Sequence, residues 1–397
     1  MSFILQMTPQ DPLVARDGRP FGDGQGSRMR GLPWPLPSVV AGSFRTALVK
    51  AGSYDFSGDM PKRLMEIAVA GVFPVCDGEL YLPAPNDAVA EPGTDEKGLP
   101  TIKTIHRVQP LENFGGCDFP NDLPLKPVML SDTQSNSDFK PVDIPAWWPV
   151  EKISDWLVGN QISFDKKFLK TPITSMRDHV ALEADRGAAE EGKIFASSNL
   201  NVGYLPRFRM KLDDDKSAFR DRFAEVTLSA RVTIPDSEKK LNLDHNFDIW
   251  HPLGGERRMV HWSKNPAPML WNCPDKVKQS LKNATRVRMV LATPAIFKNG
   301  WKPDWLTNGL DGELSGVKLK LVGVSNGRWK AISGWSLAPP KIGPKPIRRM
   351  VPAGSVYFFE VEKPGAAEPL ADLWLQSVSD DKQEGLDGFG LAVWGTW

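Results

Sequence analysis

The two ends of the chain obey one pattern, and that duplication restricts the fold more than any other feature. Residues 4–9 (ILQMTP) and 289–294 (MVLATP) are each a short apolar run stopped by Thr-Pro. Downstream of each opener a glycine-rich loop leads into an apolar stretch, first at residues 253–260 (LGGERRMV) and then at 385–395 (GLDGFGLAVWG). The pattern predicts two related α+β modules, each closing on a glycine loop. Glycine has no Cβ to block close approach, so Gly254, Gly255, Gly388 and Gly390 mark two places where backbone amides could meet phosphate; an ordinary tight turn is the competing reading of each.

A chain of 397 residues exceeds the size at which one core usually stays undivided, in agreement with two modules. The net charge of +1 supplies no global attraction to a polyanion, so any such site must come from local clustering. Two clusters exist: Arg16, Arg19, Arg28, Arg30 and Arg45 near the N-terminus, and Lys341, Lys345, Arg348 and Arg349 in a run without an acid. Cys76, Cys117 and Cys273 are far apart with no CxxC, which argues against a disulfide framework or a structural zinc. There is no basic leader, and no uncharged stretch approaches the roughly 18 residues of a membrane helix, so the expectation is a soluble cytoplasmic protein without a membrane partner.

Along the chain, Pro33, Pro35 and Pro37 lead into Ser38, an apparent N-cap, and residues 39–51 have helical spacing with Gly52 as the stop. A short helix is expected at 61–70, a strand at 80–84, and irregular insertions over 85–175. Residues 180–182 and 193–195 predict a hairpin arm turning at Asp185-Arg186-Gly187, and the alternation of 223–234 predicts a strand. A Pro-rich stretch places the boundary at 265–284, giving modules 1–264, with insertions over about 85–210, and 285–397. In the second module strands are expected at 316–324, 354–361 and 391–394, and a helix at 370–377. Strand, helix, glycine loop and strand closing each half are compatible with a ferredoxin-like βαββαβ unit.

No nucleophile elbow, Walker loop or dinucleotide fingerprint occurs. Asp244, His245, Asp248 and His251 fall in one short stretch that could ligate a divalent metal, but no metalloenzyme signature accompanies them, and surface or capping roles are the simpler assignment. Nothing in the residues calls for a catalytic centre, a metal or a cofactor. Of the 14 tryptophans most must fill core, and Phe21 and Phe389, each in a glycine-rich loop, are the better candidates for stacking on bases. Arg45, on a helix that follows a Pro-rich turn, is the leading phosphate ligand of its cluster, with a salt bridge to a nearby Asp as the alternative for any of these arginines.

Several ordered blocks carry a family resemblance. Asp11-Pro12-Leu13 with Arg16-Asp17-Gly18-Arg19-Pro20-Phe21, then Pro37-Ser38 and Gly42-Ser43-Phe44-Arg45, is similar to the N-terminal signature of the third-subunit family of Cmr, the type III-B CRISPR effector. Arg177-Asp178-His179-Val180 with Gly187 and Phe195 resembles a hairpin pattern of the RAMP superfamily, and Leu253-Gly254-Gly255-Glu256-Arg257 its first glycine loop. Thr293-Pro294, Gly334-Trp335, Val351-Pro352-Ala353-Gly354 and Gly388-Phe389-Gly390 resemble blocks of the second module.

The resemblance implies an α+β fold of two tandem ferredoxin-like (RRM-like) RAMP domains, no nuclease activity, and a grip on the 5′ tag of the CRISPR RNA. It also implies contact with the large polymerase-like subunit and with a backbone subunit. The RNA-binding set it suggests, with the physical reading, is Arg16, Arg19, Phe21, Ser38, Arg45, Arg177, His179, Gly254, Gly255, Arg257, Gly388, Phe389 and Gly390. An RNA-processing endonuclease of the same superfamily, and a protein-only adaptor, stay open as alternatives at this point.

Overall fold

A computed structural model describes residues 1–17, 27–94, 96, 98, 100–112, 125–130, 138–208, 222–241, 247–265, 268–336 and 342–397. The protein is a strand-rich α/β molecule with few helices, organised around a seven-stranded and a six-stranded sheet. In the first, the order is Asp248–Pro252, Met259–Asn265, Ser2–Pro9, Thr227–Thr233, Ala68–Cys76, Glu79–Pro83 and Trp147–Pro149. In the second it is Asp311–Leu314, Val317–Ser325, Val356–Val361, Arg286–Leu291, Leu391–Thr396 and Gln376–Ser377.

The duplicated openers, Ser2–Pro9 and Arg286–Leu291, hold equivalent places. The first opener pairs antiparallel with Thr227–Thr233 on one side and Met259–Asn265 on the other. The second pairs antiparallel with Val356–Val361 and with the terminal strand Leu391–Thr396. A further strand, Ala68–Cys76 or Val317–Ser325, completes each set beyond the third. Counted along the chain, the central strands of both sheets therefore run last, first, third, second.

Strand alternation explains why the first opener is buried on both faces. Leu5 and Met7 pack toward the first helix with Val40, Phe44, Leu48 and Trp262, while Ile4 packs on the other side with Phe73 and Cys76. That second core is continuous with the interior of the other sheet, including Met289, Phe358 and Trp394. The two sheets thus share one apolar interior, so neither covers its inner face alone.

The first helix is Pro37–Ala51, with Val40, Ala41, Phe44, Ala47 and Leu48 on its buried stripe. Pro37 occupies the first turn, where its missing N–H removes no helical hydrogen bond. Leu36 is the N-cap and Ser38 lies inside the first turn, so the N-cap expected at Ser38 is corrected. Gly52 is the C-cap as expected, though at φ −83°. A Cβ there would stand 2.1 Å from the Tyr54 ring, so space rather than a left-handed backbone demands glycine.

Three other expectations are revised. The helix expected over 61–70 is only Met60–Met65, because from Ala68 the chain is already a strand of the first sheet. The helix expected over 370–377 is a 3-10 turn, Glu368–Leu373, with Leu375 at φ 53° swinging the chain into the edge strand Gln376–Ser377. Residues 85–175 are more regular than expected. They hold a three-stranded sheet, Ala88–Thr94, Pro100–Pro110 and Val128–Leu130, and a helix, Val150–Leu157. This insertion lies against the second sheet, where a Cβ on Gly323 would meet Pro110 at 2.8 Å and the Lys126 amide donates to the Val322 carbonyl at 2.7 Å. The 265–284 stretch contains the helix Asp275–Lys282, and its Trp271 donates to Ser229 Oγ at 3.1 Å.

Candidate nucleic-acid interface

The N-terminal segment after the first strand is stitched to three neighbours. Leu13 and Leu200 exchange backbone hydrogen bonds of 2.8 and 2.7 Å, the Gly255 amide donates to the Val14 carbonyl at 2.9 Å, and Arg16 bridges to Gly31. Leu200 belongs to the expected hairpin arm, formed by Ile173–Leu182 and Ala189–Asn201, and the short strand Ser27–Arg28 extends that arm's sheet in parallel. Four stretches remote in sequence, around residues 16, 30, 177 and 257, are thereby gathered at one place.

Within it, Arg16, Arg30, Arg177 and Arg257 are exposed, and none forms a salt bridge with a described residue. Arg177 stands opposite Ser197 and His179 opposite Phe195, so both share the hairpin face that looks toward the first glycine loop. His179 Nε2 lies 2.8 Å from Ser197 Oγ and 3.7 Å from Glu256, and its ring stacks on Phe195 at 5.1 Å. This is a positioned histidine, held by three neighbours. Arg258 donates to Asn199 Oδ1 at 3.0 Å and to Glu256 at 2.5 Å, which ties the loop to the arm. Arg28, registered with Ala196 and Asp178, is exposed on the opposite face, beside exposed Met176, Val180 and Ile194.

The glycines of the first loop serve the chain's own backbone. At Gly254, φ is 80° and a Cβ would fall 2.6 Å from the Val14 carbonyl oxygen; at Gly255 it would meet Val14 Cγ1 at 3.0 Å. Glu256 and Arg257 follow at φ 55° and 50°, a left-handed pair costly for side-chain-bearing residues. That turn sends Glu256 back to Arg258 and leaves Arg257 exposed.

The second loop departs further from expectation. Phe389 is 2% exposed and packs in the core with Val69 and Val72, which corrects its assignment as a stacking aromatic. The amides of Gly388, Phe389 and Gly390 donate to Gly385, Glu384 and Pro294, and Thr293 Oγ1 donates to the Gly388 carbonyl at 2.8 Å. Arg45 is also reassigned. Its guanidinium is buried and reaches Asp387 at 2.6 Å and the Ile67 carbonyl at 2.7 Å, so the phosphate contact expected of it is replaced by a joint between the two sheets. Ser38 is half-buried in the helix start. Arg19 and Phe21 lie outside the described residues.

This geometry carries the first prediction. Gly390 has φ 70°, with a built Cβ 2.4 Å from Ser379 Oγ, so Gly390→Val is expected to destabilise the protein by about 2–3 kcal/mol through left-handed strain and overpacking. Chemical denaturation measures it, and a variant of wild-type stability that fails to bind RNA would return the loop to the interface.

Among the described residues no group of three or more His, Cys, Asp and Glu could hold a metal ion. Asp244 and His245 lie outside them. His251 is buried, which together with Lys50 holds its imidazole below the usual range, and Asp248 pairs with His261 at 2.5 Å. No helix among the described residues is long and apolar enough to cross a membrane.

The molecule is thus a strand-rich α/β protein built around two large sheets, with exposed arginines at the junction of a hairpin arm, a glycine loop and the N-terminal segment. Over residues 5–397 its sequence matches the family described as CRISPR-associated protein (Cas_Cmr3), and the chain belongs to that family. No curated protein matches it. Distant likenesses occur among solved structures. A chain of the type III-B Cmr-beta complex bound to cognate target RNA and AMPPnP is 13% identical with a TM-score of 0.43, over 89% of this chain and 86% of that one. A chain from the Csm3-Csm4 subcomplex of the type III-A interference complex is 9% identical with a TM-score of 0.36, over 92% and 94%.

Proposed function

We propose that this protein is a non-catalytic subunit of a type III-B CRISPR effector that holds the 5′ tag of the CRISPR RNA and bridges the large polymerase-like subunit to the backbone subunits. The observation that carries the reading is the gathering of exposed Arg16, Arg30, Arg177 and Arg257 at one junction. Guanidinium forks match phosphate oxygens in a bidentate geometry, and four of them suffice to fix a short single strand without a high net charge. Membership in the CRISPR-associated family supplies the biological setting.

The same proposal takes each sheet, with its last-first-third-second order, as a ferredoxin-like unit, residues 1–264 and 285–397, joined through 265–284. Exposed Met176, Val180 and Ile194, on the hairpin face opposite Arg177, suit a protein neighbour and favour the bridging role. Holding the tag would set the register of the guide by geometry.

Arg16→Ala, Arg177→Ala and Arg257→Ala combined should weaken binding of a tag-bearing CRISPR RNA and flatten the dependence of log K on log salt by about 2, as expected for three lost phosphate contacts on a single strand. Melting should be unchanged, because all three side chains are exposed. Wild-type affinity and salt dependence in the triple variant would refute the assignment.

A further inference from the structure

Between Val317–Ser325 and Val356–Val361 of the second sheet, the chain departs as an arm. Residues 326–350 carry Arg328, Lys330, Lys341, Lys345, Arg348 and Arg349 and no acidic side chain. The strands Lys330–Ile332 and Arg348–Met350 pair antiparallel, with Ala331 opposite Arg349 and Ile332 opposite Arg348. Alternation then divides the arm into two faces.

On the inner face Ile332 and Met350 are buried in the same core as Phe389, and Arg348 is ion-paired with Glu384. These contacts anchor the arm. The outer face carries Arg349, with Trp329 and Ile347 exposed at 53% and 71%. The Arg349 guanidinium lies 4.9 Å from the centre of the Trp329 ring. Arg328, next to Trp329, is exposed and forms no salt bridge with a described residue, whereas Lys330, in register with Met350, belongs to the inner-face side of the arm.

We propose that the outer face of this arm is a second nucleic-acid contact, on which Trp329 stacks with a base of a single strand while Arg328 and Arg349 follow its backbone. The arginine against the Trp329 ring leaves more than half the residue accessible, so the indole offers an open aromatic face beside cations. A ligand for this face must tolerate Arg328 and Arg349, with no acid in residues 326–350. A polyanion with flat aromatic faces meets both demands, because any base can stack and every linkage brings a negative charge. A protein neighbour would have to bring its own concentration of acids. The arm is made by residues 326–350 and shares none with the Arg16 junction, so the proposal does not depend on the tag assignment.

The test uses the full chain and a fluorescein-labelled oligouridylate of about 20 nucleotides, titrated by anisotropy over a range of KCl concentrations. Trp329→Ala should weaken binding about tenfold at fixed salt. Arg328→Ala and Arg349→Ala combined should lower the slope of log K against log salt by about 1.4. Unchanged affinity and slope in variants that melt normally would overturn the proposal, also where those variants lose a protein partner instead. Photocrosslinking of 4-thiouridine-substituted oligouridylate to the wild-type chain needs no variant to fold. Crosslinked peptides within 326–350 are expected, and crosslinks confined to other segments would equally overturn it. The Arg16, Arg177 and Arg257 variant separates the two surfaces, since it should lose selectivity for tagged RNA yet keep the 326–350 crosslinks.

Discussion

Arg45→Ala should lower the stability of the protein by about 3–5 kcal/mol, read as a fall in denaturation midpoint at constant m-value. The Arg45 and Asp387 side chains are 6% and 8% exposed, and their charged atoms are 2.6 Å apart. Arg45 also donates to the Ile67 carbonyl through Nε and Nη2, so its first-sheet helix, the strand entry at Ile67 and the C-terminal glycine loop meet at one guanidinium. Its removal strands the Asp387 carboxylate in the interior with Gln383 Nε2, at 3.0 Å, as its remaining side-chain donor. The cost comes mainly from that abandoned charge. Arg45→Met combined with Asp387→Leu should therefore recover most of the loss, since an apolar pair of similar volume leaves nothing ionised behind. If Arg45→Ala kept the wild-type midpoint but lost RNA affinity, the guanidinium would belong to the interface after all.

That result bears on how much of the molecule could be seen in the sequence. The Thr-Pro openers were legible because each stops a central strand, and the first helix because its apolar spacing is regular and its ends are marked by Pro37 and Gly52. The glycine loops were legible as conformation: Gly254, Gly388 and Gly390 all have positive φ. Their purpose was not, because a glycine that admits a neighbour's backbone has the same sequence whether the neighbour is RNA or the Val14 and Val69 carbonyls of the same chain. Arg45 was misassigned for a related reason, its partner lying 342 residues away with no local trace.

The 85–175 insertion escaped because its two longer strands carry prolines and all three are defined by pairing. Residues 370–377 have helical apolar spacing, yet the turn at Leu375 and pairing with the terminal strand prevail over periodicity. For the candidate interface, Arg16 and Arg257 were named through the resemblance, and Arg30 only as a member of the N-terminal arginine cluster. Their convergence depends on bridges from Val14 to Gly255 and from Arg16 to Gly31, and no short-range rule anticipates either.

Asp87→Ala is expected to cost as much as loss of Arg45, about 3–5 kcal/mol, because it breaks a second buried ion pair, one that ties the insertion to the second sheet. Asp87 is 0% exposed and Arg288 1%, with Arg288 Nη1 bound to Asp87 Oδ2 and Nη2 to the Trp156 carbonyl. Trp156 Nε1 donates to Asp87 Oδ1 at 2.8 Å. The carboxylate thus satisfies an indole from the insertion and a guanidinium from the central strand of the second sheet. Arg107 lies 3.8 Å from the Trp156 ring centre, and its guanidinium is pushed down to about 10 by burial first and by Arg288 next. Without Asp87, the guanidiniums of Arg107 and Arg288 lie beside one indole without the carboxylate that offsets them. Asp87→Asn retains an acceptor and should cost less than Asp87→Ala, which distinguishes a lost hydrogen bond from a lost charge. Hydrogen exchange locates the damage: amides of Arg286–Leu291 and Val356–Val361 should exchange faster in Asp87→Ala, while those of Thr227–Thr233 in the first sheet change least. Uniform acceleration across both sheets would instead mean that the shared apolar interior, rather than this ion pair, sets the strength of the joint.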